Sequence, residues 1–121
     1  GAAGAERRFF REKRKYERFN VSTPVLIRED GGFRVAKTVN ISLEGARIVS
    51  DAPLPEGPSL DAILVIEDKA TFVKTDLVYS ERSGGEPAFY YFGVRFKDLT
   101  YKEIEGLESY LSRFRRQGAV P

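Results

Sequence analysis

The chain has 121 residues, of which 41% are hydrophobic and 31% charged, and its formal net charge is +2. This length fits one domain that can bury a modest core without disulfides or metal. Cys and His are both absent, which excludes disulfides, thiolate nucleophiles and His-containing triads and argues against structural zinc. Asp, Glu or Lys could still act in catalysis, but the lack of His removes the commonest general base, so we predict no catalytic residues and no metal ligands.

The positive charge is concentrated near the amino terminus. Residues 7–18 hold seven basic and two acidic residues, a net charge of +5, whereas residues 19–121 carry a net charge of −2. Such a segment attracts anionic partners such as phosphates, nucleic acid or a membrane surface. Residues 1–13 are predicted to be a flexible basic arm, and the opening GAAGA resembles a linker or an expression remnant. No signal peptide and no membrane-spanning run is evident, so we expect a cytoplasmic protein.

Six strands are predicted in chain order, separated by turn signals rich in Gly, Pro and Asp. They cover residues 21–30, 33–42, 46–50, 59–66, 70–80 and 88–96. Spacing of about 8–12 residues between short strands is typical of a small antiparallel barrel or sandwich. We therefore predict a mainly β fold, a six-stranded antiparallel barrel occupying residues 14–117 together with a carboxy-terminal helix.

The helix is indicated by a change of hydrophobic period after the sixth strand. Thr100 and Glu103 have the spacing of a capping box, in which each side chain bonds the other residue's backbone N–H. Apolar residues then recur at steps of three and four and predict one buried helix face; they are Ile104, Leu107, Leu111 and Phe114. Gly118 is a reasonable stop for this helix.

The first candidate motif is KRKYER, in which Arg14 and Arg18 are four residues apart. This spacing places both guanidinium groups on one face of a helix or a strand. Two such groups can bind phosphates or the O6/N7 edge of guanine. A solvated basic arm explains the same residues, since Arg7 and Arg11 form another pair at this spacing.

The second candidate motif is NISLEG, which joins the second and third predicted strands. Asn40 ends a strand, and its amide offers both a donor and an acceptor to a purine edge. Ser42 adds a hydroxyl, and Gly45 permits a positive φ or a close backbone approach. The alternative is a turn whose side chains cap their own backbone.

Taken together, the two motifs resemble the PilZ family of cyclic di-GMP receptors. In that family an R-x-x-x-R arm precedes D/N-x-S-x-x-G after the second strand. Here the matching residues are Arg14 and Arg18, followed by Asn40, Ser42 and Gly45. The segment YFGVRF, residues 91–96, also looks like the late strand of that family, and the resemblance covers about residues 11–117.

The resemblance implies binding of cyclic di-GMP without chemistry. Arg14 and Arg18 would contact phosphates and guanine Hoogsteen edges, Asn40 and Ser42 would contact a guanine edge, and Gly45 would shape the turn. Lys13 stands where many members carry a further Arg, which leaves open whether one or two ligand molecules bind. The arm would be mobile when empty and ordered around the ligand, and this change would signal to a protein partner or a neighbouring domain.

Two other functions remain open at this point. A small barrel with a basic arm also fits a nucleic-acid-binding module, which would show a steep dependence on salt. A relative with a degenerate site that binds only protein partners is the other alternative.

Overall fold

The computed structural model describes residues 16–53 and 57–118, with side chains up to residue 114. The predicted arm, residues 1–13, lies outside the described residues. The elements in chain order are β1 Pro24–Glu29, β2 Gly32–Ile41, β3 Gly45–Ser50, β4 Ser59–Ile66, β5 Lys69–Arg82, β6 Tyr90–Lys97 and α1 Tyr101–Gly118.

The six strands form a closed antiparallel barrel in the order β1-β2-β3-β6-β5-β4. Hairpins join β1 to β2, β2 to β3, β4 to β5 and β5 to β6. Pairing of β3 with β6 and of β1 with β4 completes the closure. The predicted fold class is confirmed, and closure removes the exposed strand edges that favour aggregation.

The core follows from the alternation of apolar side chains along each strand. In β1, for example, Val25 and Ile27 point inward, whereas Leu26 and Arg28 point outward. Buried side chains from every strand and from α1 form one cluster, which includes Val25, Ile27, Ala36, Ile41, Ile48, Leu60, Leu64, Val73, Phe92, Val94, Leu107 and Leu111.

Two hairpin turns show why particular residues occupy them. Glu67 and Asp68 form the two-residue loop between β4 and β5, with φ values of 52° and 64°. Positive φ at both positions defines the turn type that matches the twist of an antiparallel ribbon. The turn between β1 and β2 contains Gly31 at φ 85°, where a residue without Cβ carries no steric penalty.

Helix α1 begins with the predicted capping box. The Thr100 amide donates to Oε1 of Glu103 at 2.8 Å, and the Glu103 amide donates to Oγ1 of Thr100 at 3.1 Å. Leu107 and Leu111 are buried in the core, and Phe114 packs against it. Ile104 differs from the prediction because it remains 38% exposed, at the margin of the buried face.

The second half of α1 is fastened to the barrel by polar contacts as well. Arg113 forms an ion pair with Glu67 at 3.1 Å, which ties the helix to the β4–β5 turn. Burial raises the pKa of the Tyr110 phenol, and the negative charge of Glu67 raises it further. A hydrogen bond with the Thr23 side chain and the charge of Arg113 oppose the shift. Tyr110 is therefore a neutral group at physiological pH, placed between the helix and the start of β1.

Strand boundaries differ from the sequence prediction by more than one residue in three places. Strand β1 begins at Pro24, not at residue 21, because residues 21–23 bond the side chain of Thr38 and the end of β4. Strand β5 continues to Arg82, and β6 begins at Tyr90. Within the described residues, no helix is both long enough and apolar enough to cross a lipid bilayer.

Candidate ligand-binding site

Four of the six predicted site residues lie within the described part of the chain, and the structure brings them to one end of the β2–β3 hairpin. They are Arg18, Asn40, Ser42 and Gly45. Arg14 and Lys13 lie outside the described residues. The site is therefore built from the segment that precedes β1, the end of β2 and the start of β3.

Phe19 fastens the segment that carries Arg18 to the end of β2. Its amide donates to the Ile41 carbonyl and the Ile41 amide donates to the Phe19 carbonyl, both at 2.9 Å. Phe19 and Ile41 are both buried in this isolated antiparallel bridge, so Arg18 and Asn40, each next to one of them in sequence, lie on the outer side of the barrel. The Phe19 side chain is buried in the core, so apolar burial adds to the two hydrogen bonds.

Thr38 anchors the same segment a few residues further along. Its buried hydroxyl donates to the Val21 carbonyl at 2.6 Å and accepts from the Thr23 amide at 2.9 Å. The Thr38 amide in turn donates to the Thr23 carbonyl at 3.0 Å. One side chain therefore satisfies two backbone groups of the segment that precedes β1.

We expect Thr38→Val to destabilise the domain by about 2 kcal/mol, because two buried backbone groups lose their partner. Chemical denaturation would measure this loss. Hydrogen exchange should also show a less protected Thr23 amide. Thr71→Val is the matched control, because the Thr71 side chain is half-buried and makes no hydrogen bond within the described residues. Equal losses in both variants would contradict the anchoring role.

Arg18 and Asn40 are in direct contact. Nη1 of Arg18 donates to Oδ1 of Asn40 at 3.0 Å, although 22 residues separate them. A β-bulge in β2, between Thr38 and Asn40, makes this possible. The extra residue changes the parity of the strand, so that Thr38 points into the core while Asn40 points outward toward Arg18.

Ser42 forms the turn between β2 and β3. Its side chain is fully buried, and its hydroxyl accepts from the amides of Glu44 and Gly45 at 3.2 and 3.3 Å. The Ser42 amide donates to the Gly45 carbonyl at 2.8 Å. In this arrangement the hydroxyl caps its own turn, so contact of Ser42 with a ligand stays a prediction.

Gly45 is required by a close approach of two strands. It pairs with Arg95 of β6, and a Cβ at this position would lie 2.1 Å from the Val94 carbonyl oxygen. The three atoms nearest to such a Cβ all belong to the backbone of Val94 and Arg95, so none can rotate away. Of the two reasons that the sequence offered for a glycine here, the close backbone approach is the one that the structure contains.

A row of residues continues the site across the outer face of the barrel. Asn40 pairs with Arg47, Arg47 with Gly93, and Gly93 with Tyr79. Gly93 leaves room for the Tyr79 ring, whose nearest atom would lie 2.0 Å from a Cβ placed there. Beside this row is a shallow depression of about 90 Å³, whose lining includes Arg18, Gly45, Tyr79, Gly93 and Arg95.

Arg47 occupies the centre of this row and is held on two sides. Its Nη2 forms an ion pair with Glu81 at 2.6 Å. Its guanidinium carbon lies 4.7 Å from the centre of the Tyr91 ring, an attractive cation–π distance. Its Nε is buried and has no hydrogen-bond partner among the described residues. Arg47 therefore gives this face a fixed positive charge whose hydrogen-bonding capacity is partly unused.

Sequence reasoning missed Arg47, Tyr79 and Gly93 as neighbours of the candidate site. Tyr79 and Gly93 are distant in sequence from NISLEG, whereas Arg47 is close to it. Only the strand register aligns all three with Asn40. The available signal was the outward parity of Arg47, which lies two residues after Gly45 on the adjoining strand. Arg95 of β6 is exposed and also lines the depression.

The fold and this site define a small closed β-barrel domain in which an arginine from the segment before β1 contacts the end of the β2–β3 hairpin. A family model for the PilZ domain matches residues 12–113. The chain therefore belongs to the PilZ domain family, as the two motifs indicated. A search of curated proteins gave no match.

Several solved structures share this fold. MrkH of K. pneumonia in its apo state is 14% identical with a TM-score of 0.72, over 85% of this chain and 50% of that chain. The PilZ domain of Escherichia coli YcgR with c-di-GMP is 14% identical with a TM-score of 0.71, over 88% and 94%. Borreliella burgdorferi PlzA in complex with c-di-GMP is 12% identical with a TM-score of 0.65, over 96% and 58%.

These identities are low, so the similarity to solved structures demonstrates the fold alone. The chain spans about half the length of the MrkH chain and nearly the whole of the YcgR PilZ domain.

Proposed function

We propose that this domain is a cytoplasmic receptor for cyclic di-GMP that binds the ligand without chemical change. The observation that carries the proposal is the contact of Arg18 with Asn40, because it joins the two motifs of the family at one place. Family membership over residues 12–113 supports it, as do the c-di-GMP complexes of YcgR and PlzA.

The ligand chemistry fits the side chains that meet here. Cyclic di-GMP carries two phosphate charges and two guanines. Arg18 supplies a guanidinium group that can bind a phosphate or the O6/N7 edge of guanine bidentately. Asn40 offers an amide that can meet the N1/N2 edge. In the free protein these two groups satisfy each other, and the ligand would replace their mutual hydrogen bond by stronger charged ones.

Arg14 and Lys13 would complete the cation set in this proposal. Arg14 is four residues before Arg18, so it reaches the same ligand on a helix or an extended segment. Lys13 contributes a point charge without the planar fork that stacks on a base. The depression of about 90 Å³ is much smaller than a cyclic dinucleotide, so the ligand would lie on the outer face and be covered by these residues.

Ser42 and Gly45 would act on the ligand through the shape of the turn. The Ser42 hydroxyl holds the amides of Glu44 and Gly45, and a rotation of this hydroxyl would be needed for direct contact. Gly45 lets β3 approach β6 closely enough to keep Asn40 beside the depression. Their contribution to affinity is therefore expected to come with a contribution to stability.

Signalling would follow from the position of the segment that precedes Phe19. Ligand binding would fix Arg14 and Lys13 against the barrel and change the surface offered to a protein partner or a neighbouring domain. The Phe19–Ile41 bridge and the Thr38 hydrogen bonds provide the fixed end of this movement. The identity of the partner would be set by surfaces outside the ligand site.

A comparison of thermal stabilisation by different ligands tests the proposal. Binding to the native state raises Tm, and a ligand at about 100 times its Kd adds about 2.7 kcal/mol of stability. We expect cyclic di-GMP to raise Tm and GTP to leave it nearly unchanged. A single-stranded oligonucleotide that raised Tm more than cyclic di-GMP, with an effect that vanished at high salt, would favour the nucleic-acid alternative.

A further inference from the structure

The outer face of the barrel opposite the β3–β6 pair carries an apolar stripe. Strand pairing aligns four outward-facing residues across β2, β1, β4 and β5: Val35 with Leu26, Leu26 with Ile63, and Ile63 with Phe72. We call these four residues the outer stripe. They point away from the core cluster, which takes its members from the alternate positions of the same strands.

Large apolar side chains of the outer stripe and its neighbour Phe33 are exposed to solvent. Val35 is 68% exposed and Phe72 50%, and Phe33 beside them is 50% exposed. Single exposed apolar residues are ordinary, but a contiguous apolar patch marks an interaction surface. Aromatic residues at such a patch are the composition expected at the centre of a protein interface.

The row of residues beside the outer stripe is complementary to a copy of itself that is rotated by 180°. The adjacent row contains Phe33 on β2, Arg28 on β1, Asp61 on β4 and Lys74 on β5. The centre of the face lies between β1 and β4. Opposite charges therefore sit on the two sides of the centre, at equal distances from it.

We propose that the outer stripe is a two-fold contact between two copies of this chain. A two-fold axis that runs parallel to the strands, between β1 and β4, places each β1 over the β4 of the other copy. Arg28 of each copy then faces Asp61 of the other, which pairs opposite charges twice. Leu26 faces Ile63, and Val35 faces Phe72. An isologous contact requires this self-complementarity: where residue i of one copy meets residue j of the other, residue j of the first copy also meets residue i of the second.

The remaining residues fit the same arrangement. Lys74 faces Phe33 across the contact, a pairing that permits a cation–π interaction. Two sheet faces pack with their strands within about 30° of each other, which is compatible with an axis along the mean strand direction. No pair in the row brings two like charges together. A two-fold axis perpendicular to the strands would instead place the charged row over Lys37, Pro24, Val65 and Ala70 of the other copy. Asp61 would then face Val65 and have no basic residue opposite it.

The size of the face predicts a weak dimer. Four strands about 4.8 Å apart and three residue rows give roughly 400 Å² per copy. This area is at the low end of specific interfaces, where contacts are transient. The candidate ligand site uses β3, β6 and the opposite ends of β2 and β5, so a dimer formed in this way leaves it open. The proposed dimer contact therefore does not depend on which ligand the site binds.

Sedimentation equilibrium over a concentration series from micromolar to millimolar tests the contact. We expect the unaltered chain to pass from monomer to dimer. Val35→Glu combined with Phe72→Glu should keep it monomeric, because both residues are exposed and their change leaves the core intact. Tyr101→Glu is the matched control: Tyr101 is 87% exposed but lies on α1, away from the stripe, and this variant should dimerise normally.

A charge-reversal pair tests the geometry itself. Arg28→Asp alone and Asp61→Arg alone should each weaken dimerisation at least tenfold, because like charges then face each other twice. A mixture of the two variants should form heterodimers with an affinity near that of the unaltered chain, since each acidic pair then faces a basic pair. The ion pair within each chain stays broken in both variants, so recovery on mixing reports only the contact between copies. A monomeric unaltered chain at every concentration, or a mixture without heterodimers, would overturn the proposal.

Discussion

Gly45→Ala should destabilise the domain by about 3 kcal/mol or more, a larger loss than overpacking of a flexible side chain usually causes. The new Cβ would lie 2.1 Å from the Val94 carbonyl oxygen and 3.2 Å from Cα of Arg95. Relief of this overlap requires β3 and β6 to separate, and their hydrogen bonds close the barrel. Urea unfolding, followed by circular dichroism, measures the effect.

Gly106→Ala is the matched control for this substitution. A Cβ at Gly106 meets no atom within 4 Å, and the residue lies within α1. Alanine there should stabilise the domain by about 0.5–1 kcal/mol, because glycine is the poorer helix former. Opposite signs at the two glycines are the expected result. A Gly45→Ala variant within 1 kcal/mol of the unaltered chain would refute the close approach of the two strands.

Arg18→Ala should weaken cyclic di-GMP binding about 100-fold, which corresponds to about 2.7 kcal/mol. The lost group is a charged donor to an anionic ligand, and such hydrogen bonds are the strong ones. The fold should be preserved because the Arg18 side chain is exposed, while Phe19 retains its bridge to Ile41. Equilibrium dialysis gives the affinity, and the unfolding midpoint verifies that the variant is folded.

Arg28→Ala is the control for charge alone. Arg28 is an exposed arginine on β1, where its ion pair with Asp61 is long at 4.0 Å. Its removal lowers the net charge by the same amount as Arg18→Ala but leaves the candidate site unchanged. It should retain cyclic di-GMP affinity within about threefold, because exposed charges beyond a Debye length are screened. Similar losses in both variants would indicate a diffuse electrostatic attraction and no defined site.

Much of the fold could be predicted because local signals and tertiary structure agree. Alternation of apolar residues in segments such as residues 59–66 identifies the strands, and the Thr100–Glu103 spacing identifies the start of α1. The turn signals rich in Gly and Asp were informative as well, since Gly31, between β1 and β2, adopts a positive φ of 85°. Period, caps and turn residues are short-range properties, which a single sequence expresses directly.

The position of the segment before β1 could not be predicted in the same way. Residues 21–23 read as strand because Val21 and Thr23 are β-branched, yet β1 begins at Pro24. The Val21 carbonyl and the Thr23 amide instead bond the Thr38 hydroxyl, and the Thr23 side chain donates to the Val65 carbonyl. The Phe19–Ile41 bridge joins residues far apart in sequence. Side-chain anchoring and isolated bridges have no periodic signature.

The sequence identified the motif residues of the candidate site but not the residues that surround them. Arg18 and Asn40 are in contact, but a bulge in β2 is what turns Asn40 outward, and sequence parity alone does not reveal a bulge. Arg47, Tyr79 and Gly93 join the same face only through the register of β3, β6 and β5. Ser42 was assigned to ligand contact, and the structure gives its hydroxyl a turn to cap.

The most direct test of the central claim is a calorimetric titration of the unaltered chain with cyclic di-GMP at physiological salt. We predict saturable binding with micromolar or tighter Kd, no comparable heat with GTP, and a stoichiometry that decides between one and two ligand molecules at the site containing Lys13. The absence of saturable heat under these conditions would contradict the receptor function for this domain. The Arg18–Asn40 contact would then serve only to hold the segment before β1 against the barrel.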